Sequence, residues 1–244
     1  MHRFVCALWL LLGAGVGMTS NTFGAVVLQP NEAGSKDSFG YEFLPTFNFD
    51  TGMFALYLPV SQTTTPKDGH DIKSVLQFDL SSVTLTAAQV TSATLELYAV
   101  DTTTTGFGVN GTASQPILVN LFAVGSTWTE STVTYGTLPT TAGQFATASV
   151  DTFNQACTFD VTNLVKQWLD GTLTNHGFFL EADAPQYHAD VDKFGVATFS
   201  SSGGAVAPKL TIVPEPSSMV LGLLAVGTVA LKYRRRTMRR HRLA

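Results

Sequence analysis

The sequence predicts an all-β domain, an antiparallel β-sandwich with one short helix, set between two apolar termini. Two observations carry the fold class. Short runs rich in Val, Thr and Phe alternate with period two, and clusters of Gly, Ser and Thr separate them. A third observation is that one stretch alone, "FDVTNLVKQWLDG", has helical spacing. No repeat of about 20–50 residues divides the chain.

The first element is a processing segment. Met1 to Gly17 opens with His2 and Arg3, runs apolar from Phe4 to Val16, and turns polar at Thr19, Ser20 and Asn21, as a secretory signal peptide does. Cleavage falls after Gly24 or Ala25. The strands then read as Ser74–Leu80, Ala93–Val100, Ile117–Val124, Gly177–Asp183, Gly195–Ser201 and Lys209–Val213. In the second, Leu95, Leu97 and Ala99 alternate with Thr94, Glu96 and Tyr98, so one face is apolar. Thr63–Thr65 and Thr102–Thr105 read as loops. Thr162 is placed to cap the helix and Gly171 to stop it. Val161, Leu164, Val165, Trp168 and Leu169 share its apolar face, which makes Trp168 a core anchor. Cys157 shares strand parity with Phe159 and Val161, so a buried, inert thiol is expected.

The C-terminal segment has three parts in fixed order. Pro214-Glu215-Pro216 breaks regular structure, and Met219–Leu231 follows without a charge. Then Lys232, Arg234, Arg235, Arg236, Arg239, Arg240 and Arg242 close the chain. As a helix the apolar run covers about 20 Å, short of a bilayer core of about 30 Å. Lys232 can snorkel and Tyr233 suits the headgroup layer, which extends the span to about 18 residues. The arginines then mark a cytoplasmic end, so the expectation is a transmembrane anchor. This order resembles a PEP-CTERM sorting signal, with Pro214, Glu215, Pro216, Arg234, Arg235 and Arg236 as its recognition residues. The resemblance implies a bacterial protein whose partner is an exosortase-type transpeptidase. It would cut near the Pro-Glu-Pro and release a membrane-anchored precursor to the cell surface or matrix. The domain plan is residues 1–25, 26–212 and 213–244.

Charge excludes several functions for the middle domain. All seven arginines lie outside residues 26–213, which keep six lysines against seventeen acidic residues, a net charge of −11. Nucleic acid and polyanionic sugars are therefore poor partners. Cys6 leaves with the signal peptide, so Cys157 has no internal partner.

Candidate sites are few. There is no HExxH and no GxSxG among the motifs, and the histidines left after processing are His70, His176 and His188. "DGHD" makes Asp68 and Asp71 weak metal candidates, with too few oxygens for a convincing calcium site. "DAPQYHADVD" joins Tyr187 and His188 to Asp183, Asp190 and Asp192, and an aromatic plate beside carboxylates is what a sugar loop needs. Trp128, Glu130 and Thr132 share strand parity in "STWTESTVTY".

Seven segments in order, "LQPNEAGSKDSFGYEF", "SVLQFDLSSV", "VTSATLELYAV", "STWTESTVTYGTLP", "FDVTNLVKQWLDG", "NHGFFLEA" and "FSSSGGAVAPKLTI", resemble the DNRLRE domain, also grouped as carbohydrate-binding module family 96 and related to disaggregatases. The resemblance covers about Leu28 to Ile212. It implies a jelly-roll-type sandwich and extracellular polysaccharide as partner, with Trp128 at a structural corner covering one end. The DNRLRE string is absent and the domain lacks arginine, which leaves neutral sugars, or no sugar, open. The expectation is a secreted, non-catalytic carbohydrate-binding or matrix-scaffolding module without cofactor. A polysaccharide lyase or hydrolase with an unmarked site, and a purely structural matrix protein, are the alternatives.

Overall fold

Two antiparallel sheets pack face to face, and the one α-helix among the described residues adds its apolar face to their core. The computed structural model describes residues 24–30, 34–50, 57–61, 71–101, 109–183, 187–188 and 193–216. Residues 1–23 of the expected signal peptide, both threonine loops and Met219–Tyr233 with the arginines lie outside these residues. Among the described residues no helix is long and apolar enough to cross a membrane.

The strands are β1 (Val26–Leu28), β2 (Lys36–Tyr41), β3 (Tyr57–Val60), β4 (Ile72–Gln77), β5 (Val90–Val100), β6 (Val109–Asn110), β7 (Ile117–Val124), β8 (Thr141–Val150) and β9 (Gln155–Asp160). After helix α1 (Thr162–Leu169) come β10 (Phe178–Ala182), β11 (Tyr187–His188), β12 (Lys193–Ser200) and β13 (Lys209–Pro214). One sheet runs β2-β4-β10-β7-β8. The other centres on β5, which pairs with β13, β9 and the end of β12; β1 lies outside β13, and β3, β6 and β11 pair with β12. Only the β12–β6 pair is parallel among the described pairings.

Alternation works as the sequence implies. Leu95 and Leu97 of β5 and Ile212 of β13 meet Leu121, Phe178 and Leu180 of the five-stranded sheet, all fully buried. Six such side chains, at about 1.5–3 kcal/mol each, outweigh any single polar contact in the fold. Helix α1 adds Leu164, Val165 and Trp168 to the same core. The Trp168 ring meets Phe178 edge-on at 4.9 Å, confirming it as an anchor.

Three local expectations need correction. Thr162 does not cap α1: it is the first helical residue, and Val161 holds the cap position. The Asp160 carboxylate accepts both the Thr162 N–H (3.0 Å) and its hydroxyl (2.6 Å), while the Thr162 hydroxyl oxygen accepts the Ala93 N–H from β5. The hydroxyl is thus used to tie the helix to the sheet. Gly171 does end the helix, at φ +77°. Cys157 is half-buried, because β9 is an outer strand beside an open groove. Desolvation still pushes its thiol up to about 11. Finally, Glu130–Thr132 forms a 3-10 turn, so the parity assigned to Trp128, Glu130 and Thr132 as a strand does not apply.

The free edge of β2 is closed from outside. The Asp37 N–H donates to Glu130 Oε1 at 3.0 Å, so a carboxylate fills the place of a neighbouring strand. The Asp37 side chain is buried and accepts the Ser202 N–H at 2.7 Å. Burial pushes its carboxyl up to about 6, with Glu130 and Asp50 adding repulsion.

Cys157 should therefore resist a thiol reagent at pH 7 in the native protein, and labelling should appear only on unfolding; fast native labelling would contradict the raised pKa. Asp37 gives a pH dependence of definite sign. Its folded pKa exceeds the unfolded value of 3.8, so the folded state binds the proton more tightly. The gain is full below pH 4 and fades as pH rises through about 6. It is on the order of 2–3 kcal/mol at most. Melting at pH 5 against pH 7.5 should show it, and Asp37→Asn, which keeps an acceptor for Ser202, should flatten that slope.

Candidate functional site

The five-stranded sheet turns one face to the core and the other outward, and the outward face is divided. At one end Val75, Phe179 and Val124 are apolar, and Trp128 and Val133 cover them. Trp128 is 8% exposed and its indole N–H donates to the His176 carbonyl at 2.9 Å. Lys36 stands 4.3 Å from the centre of its ring. Trp128 is thus a lid over the sheet's outer face rather than over one end of the sandwich. Its ring is not available to a ligand.

The other end of that face is polar. Gly40, Lys73, Glu181, Asn120 and Thr147 are successive neighbours across all five strands. At about 4.8 Å per strand the row is about 19 Å long. Lys73 pairs with Glu181 at 3.1 Å. The Asn120 amide donates to Asp183 Oδ1 at 2.6 Å, and its oxygen accepts from Gln144 (2.8 Å) and Thr147 (2.6 Å). These partners fix the orientation of every group in the row.

Tyr135 sits on this row because position 40 is glycine. A Cβ there would lie 2.6 Å from the Tyr135 Cα, so the backbone packs directly onto β2. The Tyr135 hydroxyl donates to Asp71, and its pKa is pushed up to about 12 by burial first, then by Asp71, Glu42 and Glu181. Tyr135 therefore lies within electrostatic reach of three carboxylates.

Beside it, "YEFLPTFNFD" (Tyr41–Asp50) carries a cluster of rings. Phe39 and Phe49 stack at 4.4 Å in the interior. Phe47 meets Phe49 edge-on at 4.8 Å, and Tyr41 links to Phe43 at 6.1 Å. Exposure rises outward, from 1% and 2% at Phe39 and Phe49 to 44% at Phe47 and 64% at Phe43. The Asn48 amide donates to the Glu130 and Val133 carbonyls, and the Gly136 N–H to Pro45 O, so this segment and the lid hold each other. The outer rings are thereby positioned before any ligand arrives.

The residues singled out from sequence are distributed unevenly. Asp71 joins Tyr135 and Glu42, whose carboxylate accepts the Asp71 N–H at 3.3 Å. Asp183 is exposed at the end of β10, on the Asn120 network. Tyr187 and His188 form β11 against β12. Asp68, Asp190 and Asp192 lie outside the described residues, as do Arg234, Arg235 and Arg236. Pro214 is buried at the end of β13, and Glu215 and Pro216 are exposed. Among the described residues no group of three or more His, Cys, Asp or Glu side chains is arranged to hold a metal. The sequence reading missed Tyr135, Phe43 and Phe47. Four rings within nine residues of "YEFLPTFNF" was the available signal.

An open groove of about 330 Å³ runs between β8 and β9, lined by small residues with Cys157 and Asp151. No aromatic ring faces it, which separates it from the Tyr135 surface.

Comparison with known proteins follows the same division of the chain. A family model described as carbohydrate-binding module family 96 matches residues 55–213. One described as a PEP-CTERM protein-sorting motif matches residues 213–236. The two matches share Val213, with no linker between them. A search of curated proteins returns no match. With a match over well more than half its length, the chain belongs to carbohydrate-binding module family 96.

Proposed function

We propose that the chain is a secreted, non-catalytic carbohydrate-binding module that docks neutral polysaccharide on the surface formed by Phe43, Phe47 and Tyr135. The observation that carries this reading is the graded ring cluster: exposed Phe47 set against buried Phe49, and exposed Phe43 against half-buried Tyr41, beside Glu42, Asp71 and Glu181. Exposed apolar rings favour stacking on the apolar faces of sugar rings, while carboxylates and the Asn120 row accept and donate to hydroxyls. Asp183 extends the polar part of the surface. Tyr187, His188, Asp190 and Asp192 remain a second candidate ligand segment within this proposal.

The acidity of the domain supports a neutral ligand, since uronate sugars would be repelled. Residues 41–50 precede the part of the chain that the family model matches, and Tyr135 lies within it. A hydrolase or lyase would need two carboxylates at a working separation of about 5–9.5 Å with split pKa values. Glu130, Asp37 and Asp50 are raised, but the Glu130 carboxylate closes the edge of β2 and the buried Asp37 carboxylate holds the Ser202 N–H. The jelly-roll topology, the signal peptide and the transmembrane helix of Met219–Tyr233 belong to this proposal too. So does delivery by an exosortase-type transpeptidase to the cell surface or matrix.

Two experiments test these readings. In affinity electrophoresis through neutral polysaccharides, the domain should be retarded, and Phe43→Ala with Phe47→Ala should weaken retention about tenfold with little loss of stability. Retention unchanged by both substitutions would remove the rings from the site. For delivery, changing Pro214, Glu215 and Pro216 together to alanine should leave membrane insertion intact and block shortening of the chain. Arg234, Arg235 and Arg236 to serine should weaken membrane retention. A triple-alanine protein shortened and released like the parent would show that the tail is only an anchor.

A further inference from the structure

The Pro-Glu-Pro tripeptide does not begin beyond the fold. Its first two residues are built into it. Pro214 is buried and is the last residue of β13, opposite Val90, after a register shift at Val213/Pro214. A bulge is where a strand accepts proline, because no ladder N–H is then missed. The Glu215 N–H donates to the Gln89 carbonyl at 2.7 Å. Gln89 closes a 3-10 turn (Ala87–Gln89), and its side-chain oxygen accepts the Thr86 N–H at 2.9 Å, so the acceptor is itself fixed. β13 is also an inner strand, with β1 on one side and β5 on the other.

From this we infer that the bond cut during sorting lies C-terminal to Glu215, and that the mature protein keeps Pro214 and Glu215 as the end of its last strand. The inference rests on the sorting reading proposed above. The chemistry sets the requirement. A nucleophile must add to a backbone carbonyl carbon; its C–N bond then breaks, the tail leaves as a protonated amine, and the acyl group passes to an acceptor amine or water. Each step needs a backbone that the enzyme can surround. At Val213–Pro214 and Pro214–Glu215 the bond is engaged by β5 and the Gln89 carbonyl. Reaching it means peeling the end of β13 away, exposing Pro214 and breaking a 2.7 Å hydrogen bond. From Glu215–Pro216 onward no such opening is required, since Pro216 carries no N–H and is exposed.

The two roles of the tripeptide are then distinct. Glu215 contributes an amide to the fold and offers its exposed side chain to the sorting enzyme. Pro214 seals the sheet, and Pro216 begins the segment in which the cut falls without opening the fold.

The test uses the full-length protein in a host that carries the sorting system, with the C-terminal peptide of the shortened product read by mass spectrometry. A product ending at Glu215 or later supports the inference. One ending at Pro214, Val213 or earlier overturns it while leaving the sorting reading intact. A chain that stays at full length overturns the sorting reading and this inference with it. A second measurement is independent of cutting. Amide exchange on the full-length protein should show the Glu215 N–H slowed at least about 100-fold relative to an unstructured peptide. Exchange at the unstructured rate would show that Glu215 is not held, and would remove the basis for the boundary.

Discussion

The five-stranded sheet has to hide half of its outer face while leaving the other half open, and the lid over residues 126–140 is how the chain does this. Val75, Phe179 and Val124 would form an exposed apolar patch without it. Trp128 supplies the area, its indole N–H finds the His176 carbonyl, and Lys36 covers the ring from solvent. The same segment then serves the edge of β2 through Glu130 and places Tyr135 on Gly40. One covering segment thus sets the edge, the cap and the position of the candidate surface. Loosening it would disturb all three together, which is why Asn48 and Pro45 fasten the ring segment to it.

The buried carboxyl of Asp37 follows from this arrangement. Closing the edge with Glu130 brings a second carboxylate close to the first, and Asp50 is a third. Lys36 partly offsets their repulsion of one another, but burial lowers its own pKa as well. Such a cluster costs stability at neutral pH rather than adding it. Its geometry serves backbone satisfaction, with Asp37 accepting from Ser202 and Glu130 from Asp37.

β5 and β13 were legible because one face is in the core and period two survives there; β7 and β10 showed as apolar runs although the lid covers part of their outer faces. β2, covered on both faces, was not. β2 reads "KDSFGY" with four consecutive buried residues, since the lid hides the side that solvent would otherwise select as polar. β8, "TAGQFATASV", failed for the opposite reason: it is an outer strand, mostly exposed, with bulged pairing to β7 and little apolar signal. Helix α1 was clear from its apolar face, yet the role of Thr162 depended on Ala93, which is distant in sequence. The candidate surface was half legible. Asp71 and Asp183 stood out as acidic loop residues, but Tyr135 gains its place only through contact with a glycine 95 positions away.

The position of the termini bears on how the domain is released. β1 and β13 are neighbours, with Val26 opposite Ile212, so β1 forms the sheet edge that covers β13. The expected N-terminal cleavage after Gly24 or Ala25 and the C-terminal tripeptide are therefore both set against strands that must stay paired. Trimming into either would expose the partner's backbone and open an edge on an inner part of the sheet. Charge follows the same boundary. Six of the seven arginines lie beyond Pro216, and a domain carrying −11 remains without them. Like charge of that size makes copies of the domain repel one another at low salt.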